Sequence, residues 1–236
     1  MIEVWERLDS TNAEAVRDPA PWRVVVAEEQ SHGRGRLTRS WTTVRGSALA
    51  VSAVVPLSAL ADSGMPLGWL PLAAGVAVVE AVADACGARV GLKWPNDVLV
   101  PSDDDRKLAG ILCEWTPAGV VVGVGINVDT PRAGLPLDTA TSLRACGHPG
   151  VAREVLLTAY LARLAVILSA PEADRRRAYR ERCLTLGRTV RLHEPGGGIR
   201  EGRATSIDET GRLVLQTADG PYAVTAGDVV HVREVQ

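Results

Sequence analysis

The sequence predicts an α+β protein: a mixed, mainly antiparallel central sheet packed by helices, then a small C-terminal β-barrel of the SH3-like kind. Three observations carry this. Residues 90–128 read as consecutive strands joined by tight turns at Pro101-Ser-Asp-Asp-Asp105 and Pro117-Ala-Gly119, a meander and not a βαβ alternation. Residues 67–86 are apolar nearly all round and stop at Gly87, as a helix lying against a sheet does. From Gly187 onward the texture changes to short alternating strands separated by glycine and acidic turns, which suits a five-stranded barrel. A chain of 236 residues divides naturally into one domain, residues 1–186, and a small second one, residues 187–236.

The other elements follow in order. Asp9 or Ser10 is placed to cap a short helix that ends near Asp18. Residues 21–29 form the first central strand and residues 47–55 the second. Between them, Gln30 to Trp41 carries Gly33-Arg34-Gly35-Arg36, Arg39 and Trp41, with little apolar surface to hold it down. This loop is expected to be mobile until an anion arrives, because guanidinium groups grip phosphate or carboxylate with two hydrogen bonds at once. Pro95 kinks the chain between two short strands in residues 90–100. The acidic tip at 101–105 is expected to be solvated and without a role. A Pro/Gly-rich connector, 130–150, leads to helices at 152–169 and 171–186. The second carries Arg175-Arg176-Arg177 and Arg180, read as a solvated face. The C-terminal strands are placed at 189–193, 198–207, 212–217 and 222–226.

Composition narrows the function. The net charge of −2 gives no global field that draws nucleic acid or a membrane. The N-terminus is charged and mixed, unlike a signal peptide, and no apolar run is expected to span a bilayer. Cys86, Cys113, Cys146 and Cys183 are scattered, as reduced and mostly buried thiols of a cytosolic protein would be. His32, His148, His193 and His231 are equally scattered, so no zinc site and no protein-held metal is expected. The strongest signal is a bias. Of 26 basic residues only Lys93 and Lys107 are lysine, and the only asparagines are Asn12, Asn96 and Asn127. In so arginine-rich a chain, lysine survives where a compact point charge is needed.

Common site chemistries fail on inspection. There is no Gly-x-x-x-x-Gly-Lys phosphate loop, no third glycine after Gly123-x-Gly125, and no Gly-x-Ser-x-Gly elbow. What remains is anion-gripping arginines, two lysines, an Asn-Asp pair and a polar Ser-Thr-Asn helix start. That inventory suits transfer at a phosphorus centre, driven by positioning and charge neutralisation. An RNA-binding module using Arg34, Arg36 and the barrel stays open on these residues alone.

The chain resembles the biotin–protein ligases. The matching segments are Ser10-Thr11-Asn12, Gln30 with Gly33-Arg34-Gly35-Arg36 and Trp41, Lys93-Trp94-Pro95-Asn96-Asp97, Lys107-Leu-Ala-Gly-Ile-Leu112 and Gly123-Val-Gly-Ile-Asn127, in the family's order. Both lysines and all three asparagines fall inside them. The resemblance implies a class II synthetase-like catalytic domain. It implies an enzyme that joins biotin and ATP, with Mg²⁺, into biotinyl-5′-AMP, then passes biotin to a lysine of a biotin carboxyl carrier domain of acetyl-CoA carboxylase or a related carboxylase. Carried over residue by residue, Ser10, Thr11, Asn12 and Gln30 form the biotin site, and Arg34, Gly35 and Arg36 the loop that folds over biotin and phosphate. Lys107 lies near the biotin carboxylate and α-phosphate. Arg39, Trp41, Lys93, Asn96, Asp97 and Asn127 line the nucleotide side, with Trp41 stacked near adenine. Lys107, Arg36 and Asp97 are the implied catalytic set. Thr38 and Ser40 depart from the family loop, and residues 101–105 lengthen the turn before Lys107. The alternative is a lipoate or octanoate ligase or transferase of related fold, for which Ser10, Thr11 and Gln30 would be idle. Only nine residues precede Ser10, so no operator-specific DNA binding is expected; the oligomeric state stays open.

Overall fold

A computed structural model describes residues 1–37, 39–42, 44–194, 197–224 and 227–232. The chain runs β1 (Ile2–Trp5), α1 (Thr11–Arg17), β2 (Val24–Ala27), β3 (Gly33–Arg34), β4 (Ser40–Trp41), β5 (Ala48–Pro56), α2 (Leu57–Asp62), α3 (Leu70–Cys86), β6 (Gly91–Lys93), β7 (Asp97–Val100), β8 (Arg106–Thr116), β9 (Gly119–Asn127), α4 (Arg153–Ser169) and α5 (Glu172–Arg182). The C-terminal part adds β10 (Thr189–His193), β11 (Ile199–Ile207), β12 (Leu213–Thr217), β13 (Gly220–Ala223) and β14 (Asp228–His231). One seven-stranded sheet has the order β1-β2-β5-β9-β8-β7-β6, and only the β1–β2 pair is parallel. The C-terminal strands form a five-stranded antiparallel sheet, β13-β12-β11-β10-β14. The α+β class and the meander are as expected.

The pleat sorts the strands' side chains. Val24 and Val26 join the large core under α3 and α4, while Val25, Val54 and Val121 meet Ala15 of α1 on the other face. Helices on both faces explain why all nine residues of β5 are buried, including Ser52 at 0% exposure. α3 is a core helix closed by Gly87 in the left-handed region (φ 71°). With the turn before it, Leu67–Cys86 is in fact long and apolar enough to cross a bilayer by length and composition, which corrects the expectation that no run would be. Its apolar residues are instead covered by the sheet, α4 and α5.

One turn of the C-terminal sheet, residues 208–211, docks on the N-terminal part. Trp69 Nε1 donates to Asp208 O (3.1 Å) and Trp94 Nε1 to Gly211 O (3.0 Å). Gly68 admits the turn because a Cβ there would stand 2.2 Å from Thr210 O.

Several sequence expectations are corrected. β1 was missed, because a parallel edge pairing is invisible in local pattern. The acidic tip is not idle: Asp103 accepts from Thr141 Oγ1 (2.5 Å), Arg132 (2.7 Å) and Arg106 (2.8 Å), and Asp105 accepts from Arg188 of the C-terminal part (2.5 Å). The α5 arginines are not one solvated face. Arg175 is buried and donates to Ala170 O and Ser63 O, and Arg176 lies over the Trp69 ring at 5.1 Å. α5 ends at Arg182, four residues before the expected 186. Of the four free cysteines only Cys183 is buried; the others are half-buried. The strand expected at 222–226 begins at Gly220, and its Thr225 and Ala226 lie outside the described residues.

Candidate active site

A cleft of about 1730 Å³ runs along the sheet from the N-terminus of α1 to the C-terminal strands. Every residue to which the sequence assigns a binding or catalytic role lies on its walls: Ser10, Thr11, Asn12 and Gln30; Arg34, Gly35, Arg36, Arg39 and Trp41; Lys93, Asn96, Asp97, Lys107 and Asn127.

The inner end is polar and closely bonded. Ser10 caps α1, accepting from Ala13 N (3.4 Å). Gln30 Oε1 accepts from Thr11 N (2.8 Å) and lies 3.1 Å from Thr11 Oγ1. Asn12 Nδ2 donates to Leu112 O (3.2 Å) and Glu114 Oε2 (2.7 Å), and its Oδ1 accepts from Ser52 Oγ (2.6 Å). The amide therefore faces protein on both sides. Gly123 is required beside it, since a Cβ there would fall 1.8 Å from Asn12 Oδ1.

The middle has a glycine floor. Gly110 of β8 pairs with Gly125 of β9, and the Trp41 ring lies on both; a Cβ at Gly125 would meet the indole at 2.5 Å. The Trp41 indole N–H is buried without a partner among the described residues. Lys107 Nζ stands 5.6 Å from the Trp41 ring centroid and 2.6 Å from Asp97 Oδ1. Trp41 thus sits on the same floor as Lys107, at the middle of the cleft. Ammonium, carboxylate and indole converge on one spot.

The roof is the hairpin β3–β4, in which Gly33 faces Trp41 and Arg34 faces Ser40. The Thr38 departure lies outside the described residues. Each loop arginine reaches a different wall. Arg34 meets Glu114 at 3.0 Å, Arg36 donates to Asn96 Oδ1 at 3.0 Å, and Arg39 pairs with Asp228 of β14. Burial lowers the Arg36 pKa and the Asp97 charge opposes that.

At the outer end, burial also lowers the Lys93 pKa, again opposed by Asp97. Asn96 Nδ2 donates to Ile111 O (2.9 Å), and Asn127 Nδ2 to Thr141 O (2.9 Å). His231 closes this end, bonded to Thr185 Oγ1 (3.0 Å) and Arg188 (3.1 Å). Burial, then the Arg188 and Lys93 charges, push its pKa down to about 4. Sequence reasoning missed Ser52, Glu114, Asp228 and His231. Ser52 looked like one more small residue of an apolar strand, and Glu114 like one exposed position of an alternating one.

Comparison with known proteins agrees with this geometry. Residues 4–130 match the Biotin/lipoate A/B protein ligase family, and residues 185–232 the Biotin protein ligase C terminal domain. The chain is 39% identical to a biotin–[acetyl-CoA-carboxylase] ligase of Mycobacterium tuberculosis, over 97% of this chain and 90% of that protein. It is 32% identical to the same-named ligase of Paracoccus denitrificans, over 94% and 97%. A biotin protein ligase from Aquifex aeolicus, solved in complex with biotin and ATP, superposes with a TM-score of 0.82 at 25% identity, covering 99% of each chain. The polar inner pocket, the lysine on a glycine floor and the basic roof are therefore those of a family member: this chain belongs to the biotin protein ligases.

Proposed function

We propose that the protein activates biotin with ATP to biotinyl-5′-AMP, releasing pyrophosphate, and transfers biotin to one lysine of a carboxylase carrier domain. The observation that carries this is the position of Lys107, paired with Asp97 where the polar inner end meets the basic outer end. A carboxylate attacking a phosphate brings two anions together, and a cation already held at that point lowers the barrier.

The residue roles follow the cleft. Ser10, Thr11 and Gln30 meet the ureido ring, with Gln30 Nε2 a free donor among the described residues. Asn12 backs them from behind. Arg34, Gly35 and Arg36 close over biotin and the α-phosphate. Trp41, on the glycine floor beside Lys107, covers the junction of biotin and nucleotide, closer in than an adenine-stacking place alone. Arg39, Lys93, Asn96, Asp97 and Asn127 serve the nucleotide, and Asp97 then orients the incoming amine. Mg²⁺ would travel with ATP, bound through phosphate oxygens and water, with no protein carboxylate assigned to it. A domain boundary near Leu186 fits the start of the C-terminal match at residue 185. Four free cysteines suit a reducing cytosol.

Calorimetry with biotin, followed by a pyrophosphate assay with ATP·Mg²⁺, tests the first half-reaction. Biotin-dependent pyrophosphate release is expected. Release with lipoate or octanoate instead would move the protein to the lipoate branch of the family.

A further inference from the structure

The innermost wall holds more hydrogen-bonding atoms than a ligand can touch, and their order is constrained. Asn12 Nδ2 lies against two pure acceptors, Leu112 O and the Glu114 carboxylate. The flipped amide would set oxygen against oxygen at both, so the orientation is fixed. Asn12 Oδ1 then faces Ser52 Oγ at 2.6 Å and can only accept, which uses the single Ser52 hydroxyl hydrogen. Ser52 Oγ is 2.8 Å from Thr11 Oγ1 and has no hydrogen left to give it. Two hydroxyl oxygens 2.8 Å apart need a hydrogen between them, so the Thr11 hydrogen points inward to Ser52 Oγ, with Gln30 Oε1 at 3.1 Å as the other acceptor nearby. The Ser52 contact is the shorter one, and Gln30 Oε1 is already served by Thr11 N at 2.8 Å. Donating to Ser52, Thr11 offers the cleft only lone pairs.

We propose that Glu114, Asn12 and Ser52 are positioning residues that fix the Thr11 hydroxyl as a hydrogen-bond acceptor, making the inner end of the cleft selective for a ligand whose ring presents an N–H there. The inference rests on the biotin reading, in which that donor is a ureido N–H. Ser52 is fully buried and does not line the cleft, so it acts only through Thr11 and Asn12. A ring atom that itself accepts would face the Thr11 lone pairs unpaired, a mismatch that hydrogen-bonding sites reject strongly.

The test uses the full chain, biotin, and two cyclic carbamate analogues in which one or the other ureido N–H is replaced by oxygen. In calorimetry the unmutated protein is expected to bind one of the two at least ~100-fold more weakly than biotin. Ser52→Ala removes the shorter partner that holds the Thr11 hydrogen inward, leaving only the 3.1 Å contact to Gln30 Oε1, and is expected to cut that ratio by about tenfold, with KM for ATP within about threefold. Thr11→Val, which keeps shape and removes the acceptor, is expected to abolish the ratio, and Thr11→Ser to restore it. If Ser52→Ala does not fold, the Thr11 pair decides. A ratio near one in the unmutated protein, or one unchanged in Ser52→Ala or Thr11→Val, overturns the proposal. Failure of the unmutated protein to bind biotin at all overturns both the proposal and the biotin reading beneath it.

Discussion

The Trp94 indole N–H donates to the Gly211 carbonyl at 3.0 Å, so the segment that supplies Asn96 and Asp97 to the cleft is held by the C-terminal turn. Asp208 organises that turn, accepting from Thr210 N (2.9 Å), Thr210 Oγ1 (2.8 Å), Arg212 N (2.9 Å) and Arg212 Nε (2.7 Å). Burial alone would raise the Asp208 pKa, but these bonds overcome it and bring it to about 2. Trp94 and Gly211 thus couple the C-terminal part to the proposed nucleotide side of the cleft, alongside the Arg39–Asp228 and Arg188–Asp105 pairs. Trp94→Phe keeps most of the ring and leaves the buried Gly211 carbonyl unpaired. The expected cost is about 1–3 kcal/mol of stability, together with a raised KM for ATP and little change in KM for biotin. Chemical denaturation and steady-state kinetics check both halves, and an equal rise in the two KM values would contradict the coupling.

Lys107 is a lysine for a geometric reason. Its Nζ would lie 3.2 Å from a Cβ at Gly110, and the Trp41 ring covers the same glycine. A planar guanidinium is bulkier than an ammonium in that slot and cannot act as a compact point charge. Lys107→Arg is therefore expected to lose nearly as much as Lys107→Ala, about 10²–10³-fold in the rate of adenylate formation. Pre-steady-state pyrophosphate release reads this directly; an arginine variant within a few-fold of the unmutated rate would refute the point-charge argument.

His231 makes the outer end acid-sensitive. Its folded pKa of about 4 lies below the ordinary 6.5, so the unfolded chain binds the proton first. Stability is fully present above pH 6.5 and is lost as pH falls towards 4. The causes are burial beside Thr185 and the Arg188 and Lys93 charges, with Asp105 opposing. His231→Gln keeps a bond to Thr185 and removes the titration. The difference in denaturation midpoint between pH 7 and pH 4.5 is expected to shrink in the variant, and an unchanged difference would assign the acid response elsewhere.

What could be read in the sequence, and what could not, divides by range. Lys93, Lys107 and the asparagines were legible because composition made them scarce, and the loop because arginine alternates with glycine between apolar strands. Glu114 was not, since its partner Asn12 lies 102 residues away and only β8 and α1 in place bring them together. The acidic tip looked idle because, apart from neighbouring Arg106, its arginines come 29 and 83 residues later. Ser52 was hidden by its neighbours: a serine in a buried strand is read as a tolerated small residue until the hydrogen bonds around it are counted.

The roles proposed for Asp97 predict different effects on the two half-reactions. Its carboxylate holds Lys107 at 2.6 Å and lies opposite Gly110 across the β7–β8 register, at the cleft's centre. In the proposed first step Lys107 is the working group and Asp97 would only place it, so Asp97→Asn, which keeps the shape and one oxygen, is expected to lower adenylate formation less than about tenfold. The second step needs the carrier's lysine to arrive as a free amine, and a carboxylate beside the adenylate can orient it and take its proton. Loss of that function is expected to slow transfer about 10²–10⁴-fold. Mixing the variant's preformed adenylate complex with carrier domain and following biotinylation isolates this step. Transfer at the unmutated rate would remove Asp97 from it and leave the residue as the counter-ion of Lys107 alone.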